Sequence, residues 1–192
     1  MAIPSEKKCL EIMQDYEMFA NIVDHSNQVK RVALAIYDNL KNQSLVNKDL
    51  IIAAALLHDL AKTEAIKNKK ARHDLLGGQM LRSLGYEEVA LIVESHVFFL
   101  DFDPQADLNE KEITFYADKR VMHDQIVSIE ERAADLVKRY GRNEEIIFNI
   151  NKNKNFTLEL EKKIQRFLNL DICQIIASLD SVSSADKKTD GK

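Results

Sequence analysis

Apolar positions recur every three to four residues through most of the chain, the spacing of amphipathic helices. Pro4 and Ser5 suit a helix start, and Cys9, Ile12, Met13, Tyr16 and Phe19 follow on one stripe. Val29, Val32, Ala33, Ile36, Tyr37 and Leu40 predict a second helix beginning near Asp24. A third, from Asn47 or Asp49 to about Leu60, is apolar nearly all round and therefore belongs at the centre of the molecule. Lys67 to Lys70 reads as a polar loop, and His73 to Leu84 as a helix closed by Gly85. Tyr86 to Phe98 and Glu110 to Met122 are further helices, separated by a loop from Asp101 to Asn109 that contains Pro104. Ser128 can cap a helix that ends at Gly141. The polar stretch Asn149 to Asn155 reads as a turn, Leu158 to Leu168 as a helix, and a short helix is expected after Asp171. From Ser181 the residues are small, polar and charged, which predicts a frayed tail. No stretch alternates with period two, so the expected fold class is all-α.

Composition sharpens this picture. Two prolines and five glycines in 192 residues leave few helix breakers. A chain of this length with 45% hydrophobic residues can bury a core without staples, so a bound metal would be functional rather than structural. The division read from the pattern is an N-terminal helix over 1–20, a metal-binding domain over 21–141, a helical extension over 142–180 and a flexible tail over 181–192. The net charge of −4, with no long basic block, argues against nucleic acid as the main partner but leaves room for a small phosphorylated substrate. Cys9 and Cys173 are isolated, as expected of thiols in a reducing compartment. The longest apolar run, Leu50 to Leu57, falls well short of the about 20 residues that span a bilayer. The expectation is a cytoplasmic protein without membrane contact, its oligomeric state left open.

The candidate chemistry begins at His58-Asp59, which ends the apolar run in AAALLHDLAK. Ionisable groups there need partners, because burying an unpaired charge is costly. His25 shares the inward stripe of Val29 and Val32, His96 that of Val89, Ile92 and Val93, and Asp118 that of Phe115 and Met122. His73 opens its helix four residues before Gly77. Each residue alone is compatible with a hydrogen-bonded core side chain. Together they form a set of imidazoles and carboxylates suited to a divalent transition metal. Lys62, three residues after Asp59 and on its face if the helix continues, and Arg120, two after Asp118 and off its face, are the cationic candidates beside this set; for both, a solvated surface position is the alternative. His123 falls about 140° round the helix from Asp118, which predicts a surface or supporting position. Glu64 reads as a solvated turn residue, with an acid-base group as the alternative, Gly77-Gly78 as close helix packing, and Phe98, Phe99 and Phe102 as core or as the floor of a pocket.

The order His25, His58-Asp59, Asp118, in the contexts DHSNQV, AALLHDLAK and YADKRV, resembles the H…HD…D signature of the HD-domain metal-dependent phosphohydrolases over about half of the chain. The resemblance implies a single-domain, all-helical bundle with a central metal site. It implies that His25, His58, Asp59 and Asp118 bind one ion. His73 and His96 stand where some members place ligands to a second ion, with Asp59 bridging; otherwise they would contact the substrate phosphate. Iron or manganese heads the candidate metals, followed by zinc, nickel, cobalt and magnesium. The implied reaction is hydrolysis of a small phosphomonoester or phosphodiester, a nucleotide in the first instance, by water that the metal activates. Asp59 and Lys62 are then the catalytic candidates, and Lys62 and Arg120 the substrate-binding ones. Two alternatives stand beside it: a dinucleoside polyphosphate pyrophosphohydrolase, and a nucleotide-sensing HD protein without turnover. The chain lacks the GYP segment of the subclass that cleaves cyclic dinucleotides.

Overall fold

The computed structural model describes residues 2–69 and 72–186. Its elements are α1 (Glu6–Asp15), α2 (Ala20–Asp38), α3 (Lys48–Leu57), α4 (Lys62–Lys67), α5 (His73–Ser83), α6 (Glu87–Glu94), α7 (Glu110–Lys119), α8 (Ile129–Tyr140), α9 (Glu144–Arg166) and α10 (Ile172–Asp186). Between α7 and α8 lies a minimal antiparallel hairpin, β1 (Val121–Met122) with β2 (Gln125–Ile126). The fold is all-α. No helix among the described residues is long and apolar enough to cross a membrane.

Local chemistry accounts for most boundaries. Ser5 caps α1, Asn47 caps α3, and Asn109 and Ser128 form capping boxes with Glu112 and Glu131 at the starts of α7 and α8. Gly85, with φ of +85°, ends the α5 turn in a conformation that only glycine adopts without strain. Helix α2 begins at Ala20, ahead of the expected Asp24, because the Phe19 amide donates to Thr63 Oγ1 at 3.0 Å and so has a tertiary partner in place of a local cap. The expected helix to Met122 stops at Lys119, where the chain turns into the hairpin.

The stretch Asn149 to Asn155 is a correction: it lies inside the 23-residue helix α9. Asparagine weakens a helix only mildly, and tertiary contacts override that preference. Here Asn153 Nδ2 donates to the Val97 carbonyl, and Thr157 Oγ1 donates to the Asn153 carbonyl one turn back. Helix α10 continues to Asp186 through the start of the expected tail, whose last residues, 187–192, lie outside the described residues.

Two apolar cores meet on α3. Ile51 and Ala55 pack with residues of α2, α7, α9 and α10, whereas Ala53, Leu56 and Leu57 pack with α1, α5 and α6. Every residue from Ala53 to Leu57 is fully buried, which is why this helix carries no polar face. Its C-terminal end, where carbonyl oxygens and the helix dipole favour positive charge, therefore opens at the seam between the cores. His58 and Asp59 are the first residues beyond it.

Candidate metal centre

His58 and Asp59 occupy the tight turn between α3 and α4, with 1% and 2% of their surface exposed. Helix α2 brings His25 to them, the start of α5 brings His73, the end of α6 brings His96, and α7 brings Asp118. The six side chains form two groups, His25–His58–Asp118 and Asp59–His73–His96, each with its ligand atoms within 4.8 Å of one another. Asp59 joins them. Its Oδ2 lies 3.5 Å from His58 Nε2 and 4.0 Å from His25 Nε2; its Oδ1 lies 3.3 Å from His73 Nε2 and 3.5 Å from His96 Nε2.

The backbone decides what these imidazoles present. His25 Nδ1 donates to the His123 carbonyl at 2.9 Å, His58 Nδ1 to the Ala55 carbonyl at 2.8 Å and His96 Nδ1 to the Val93 carbonyl at 2.6 Å. A carbonyl only accepts, so in each neutral ring the proton sits on Nδ1 and the Nε2 lone pair points into the cluster. The consequence is a meeting of acceptors. His25 Nε2 faces Asp118 Oδ1 at 3.0 Å, and His58 Nε2 is buried without any hydrogen-bond partner. Lone pairs and carboxylate oxygens repel unless a cation, either a proton on the imidazole or a metal ion, lies among them. The residues thus fit a divalent metal: imidazole nitrogens fixed by carbonyls, with carboxylates beside them, are the usual construction of such a site.

Charge placement agrees. Burial disfavours ionised Asp59 and Asp118, but His58 and Lys62 around the first, and Lys119 and His25 around the second, hold both carboxyls well below their usual range. Burial likewise opposes charge on His58, yet Asp59 and Asp118 outweigh it and raise its pKa; on His96 burial prevails and lowers it. Lys62 Nζ lies 2.6 Å from Asp59 Oδ2, and this carboxylate overcomes burial to raise the lysine pKa.

The cluster opens into a cavity of about 610 Å³ whose far walls are α8 and α9. Asp59, His73, His96, Asp118 and Lys62 line it directly. Arg120 is not brought there: it donates to the Val127 carbonyl and to Tyr116 Oη, and lies 3.4 Å from Glu161, because α7 has already ended and turned it towards α9. Lys119, passed over in the sequence, takes the cavity position instead, 2.6 Å from Asp118 Oδ2 and 2.8 Å from the His96 carbonyl. Its adjacency to Asp118 was the available signal. His123 supports the cluster through its carbonyl rather than its ring, from a left-handed backbone conformation of φ 56° at the hairpin tip. Phe99 and Phe102 pack with Phe115 and Phe156 as core, whereas Phe98 lines the cavity. Gly77 and Gly78 do provide close packing, since an added Cβ would press on Val93 and Glu94 of α6.

The family model of the HD domain matches residues 22–181. Among curated proteins, the chain is similar to the tRNA (cytidine(56)-2'-O)-methyltransferase of Thermoplasma volcanium, 33% identical over 96 residues, which is 50% of this chain and 26% of that protein. It is also similar to the protein of the same name from Picrophilus torridus, 26% identical over 144 residues, 67% of this chain and 40% of that protein. The chain thus spans less than half the length of these relatives. No solved structure matches it.

Proposed function

Because the chain belongs to the HD domain family and its buried cluster follows the order His25, His58-Asp59, Asp118, we propose that it is a metal-dependent phosphohydrolase acting on a small phosphomonoester or phosphodiester of the nucleotide kind. The observation that carries this reading is the convergence of tautomer-fixed imidazoles and carboxylates, His58 Nε2 lacking any protein partner, on the floor of an open cavity. His25, His58 and Asp118 would hold one ion, Asp59, His73 and His96 a second, and iron or manganese suits this mixed nitrogen and oxygen set. A divalent ion bound there supplies Lewis acidity and lowers the pKa of water. The protein does the rest. The Nδ1 hydrogen bonds fix the imidazole rings, Lys62 and Lys119 place positive charge beside the reacting phosphate, and the walls of α8 and α9 confine the remainder of the substrate. The methyltransferase name of the two relatives describes whole proteins of which the aligned stretch is 26% and 40%.

The test is a screen of nucleotides and other phosphoesters with the purified protein loaded with manganese or iron, followed by a single turnover in heavy-oxygen water. The expected result is hydrolysis with label in the phosphate-containing product, since no serine or cysteine nucleophile lines the cavity among the described residues. Phosphorus products free of label, or a metal-loaded protein that hydrolyses none of the esters, would overturn the proposal.

A further inference from the structure

The cavity wall opposite the metal-ligand cluster has an unexplained cation. Arg132 projects from α8 into the cavity wall with 13% of its side chain exposed, and its Nε is buried with no hydrogen-bond partner. The guanidinium is only loosely held: Asp135 lies 3.5 Å from it and is itself paired with Arg139 at 2.5 Å. By contrast, Lys62 and Lys119 each sit 2.6 Å from a cluster carboxylate. In a wall otherwise rich in Ile129, Ala133, Leu136 and Ile150, a guanidinium with a buried, unpartnered Nε is suited to an anion from the cavity. The surroundings favour one: the cavity is lined by Lys62, Lys119, Arg132, Arg139 and Lys154 against the carboxylates Asp59 and Asp118, in a chain whose net charge is −4.

We infer that Arg132 is a substrate-binding residue that clamps the phosphoryl group from the side opposite the metal ligands, so that the α8–α9 hairpin completes the active site. The inference rests on the phosphohydrolase reading for the chemistry of its ligand, but not for its geometry. An arginine presents Nε and Nη as a planar fork that matches two oxygens of one phosphate, which a lysine cannot do. The apolar residues beside it would then receive the esterified body of the substrate, favouring a nucleoside or other flat-faced alcohol over a bare sugar.

The experiment measures inorganic phosphate binding to the manganese-loaded full chain by calorimetry, for wild type, Arg132→Gln and Arg132→Lys, with metal content and melting temperature determined alongside. Both variants should keep their metal and their fold while phosphate affinity falls about 10- to 100-fold, the scale of a charge-assisted hydrogen bond, with Lys restoring little of it. On any ester found to be hydrolysed, KM should rise in the same proportion. Phosphate affinity unchanged in both folded, metal-loaded variants overturns the clamp and leaves the hydrolase reading standing. Arg132-dependent phosphate binding in a protein that turns over no ester does the reverse. Should Arg132→Gln fail to fold, Arg132→Lys decides: wild-type affinity in it overturns the fork.

Discussion

Lys163 and Glu112 form an ion pair at 2.7 Å with 2% of each side chain exposed, and the pair joins α9 to the helix that carries Asp118. Lys163 also donates to the Asp103 carbonyl at 2.8 Å, which secures the loop ahead of α7. Replacing Lys163 with methionine keeps the side-chain volume but leaves the Glu112 carboxylate buried without its cation. Breaking a buried pair in this way costs about 3–5 kcal/mol. For a chain of this size each kcal/mol is worth about 2–4 °C, so the melting temperature should fall by roughly 6–20 °C. The cost should depend on pH. Burial already raises the Glu112 pKa, with Lys163 partly offsetting it. A carboxyl whose folded pKa exceeds its unfolded value binds its proton more tightly in the native state. Its contribution is therefore present at low pH and lost as pH rises through the folded pKa. Removing the lysine widens that gap, so Lys163→Met should be least damaging near pH 4.5, the ordinary glutamate range, and most damaging at neutrality. Urea denaturation followed by circular dichroism reads both effects. The double variant Lys163→Met/Glu112→Gln should recover at least half the loss, because glutamine stays neutral and can still accept from the Asn109 amide as Glu112 does. A loss below about 1 kcal/mol at neutral pH, or no recovery in the double variant, would refute the argument.

Three further outcomes follow from the site and its packing. Asp59→Ala should abolish loading of both ligand groups, whereas His73→Ala should spare the His25–His58–Asp118 group; elemental analysis showing equal loss in both would break the division. Metal affinity should decline as pH falls through the raised pKa of His58, by about tenfold per unit for each proton displaced, since the imidazolium cannot ligate; a flat profile by metal titration would contradict it. Gly78→Ala should lower the urea midpoint, because the new methyl meets the Glu94 side chain that Arg82 grips and displacing it, at about 1–3 kcal/mol, outweighs the helix-propensity gain of about 1 kcal/mol; an unchanged midpoint would show that the Glu94 side chain gives way.

The helices were legible wherever an apolar stripe met a polar cap, as at Asn47 before α3 and Ser128 before α8. Spacing alone also turned His25, His96 and Asp118 inwards, because a helix has one buried face and a ligand must share it. What the sequence hid was set by tertiary contacts. The asparagine-rich stretch of α9 is helical because Asn153 finds a partner on another element and the residues that follow it in the helix, Phe156, Leu160 and Ile164 among them, pack on the core. Arg120 turned away because its helix ended one residue before it, a boundary that no propensity marks to that resolution. The support of His25 comes from the main-chain carbonyl of His123, and a carbonyl carries no residue identity to read. Arg132 lies on the helix after the last signature residue, in no motif of its own, and only the packing of α8 and α9 along the cavity gives it a place there.

The charge arrangement explains why such a cluster suits a phosphate. Asp59 and Asp118 stand against Lys62 and Lys119, each pair at 2.6 Å, so with neutral imidazoles these four groups balance. Each divalent ion added raises the local charge by two, on top of the cations of α8 and α9. Excess positive charge in a partly enclosed site is unfavourable until an anion enters, and a phosphate dianion has the charge to offset one ion. An ion held by Asp59 and Asp118 would compete for the carboxylate oxygens that the two lysines now hold, which would free both ammonium groups for an anion. Metal and anion would then favour each other's binding, with a coupling equal in both directions by linkage. On the phosphohydrolase reading proposed above, Lys62 and Lys119 would act as counter-charges to Asp59 and Asp118 before an anion arrives and as its ligands afterwards.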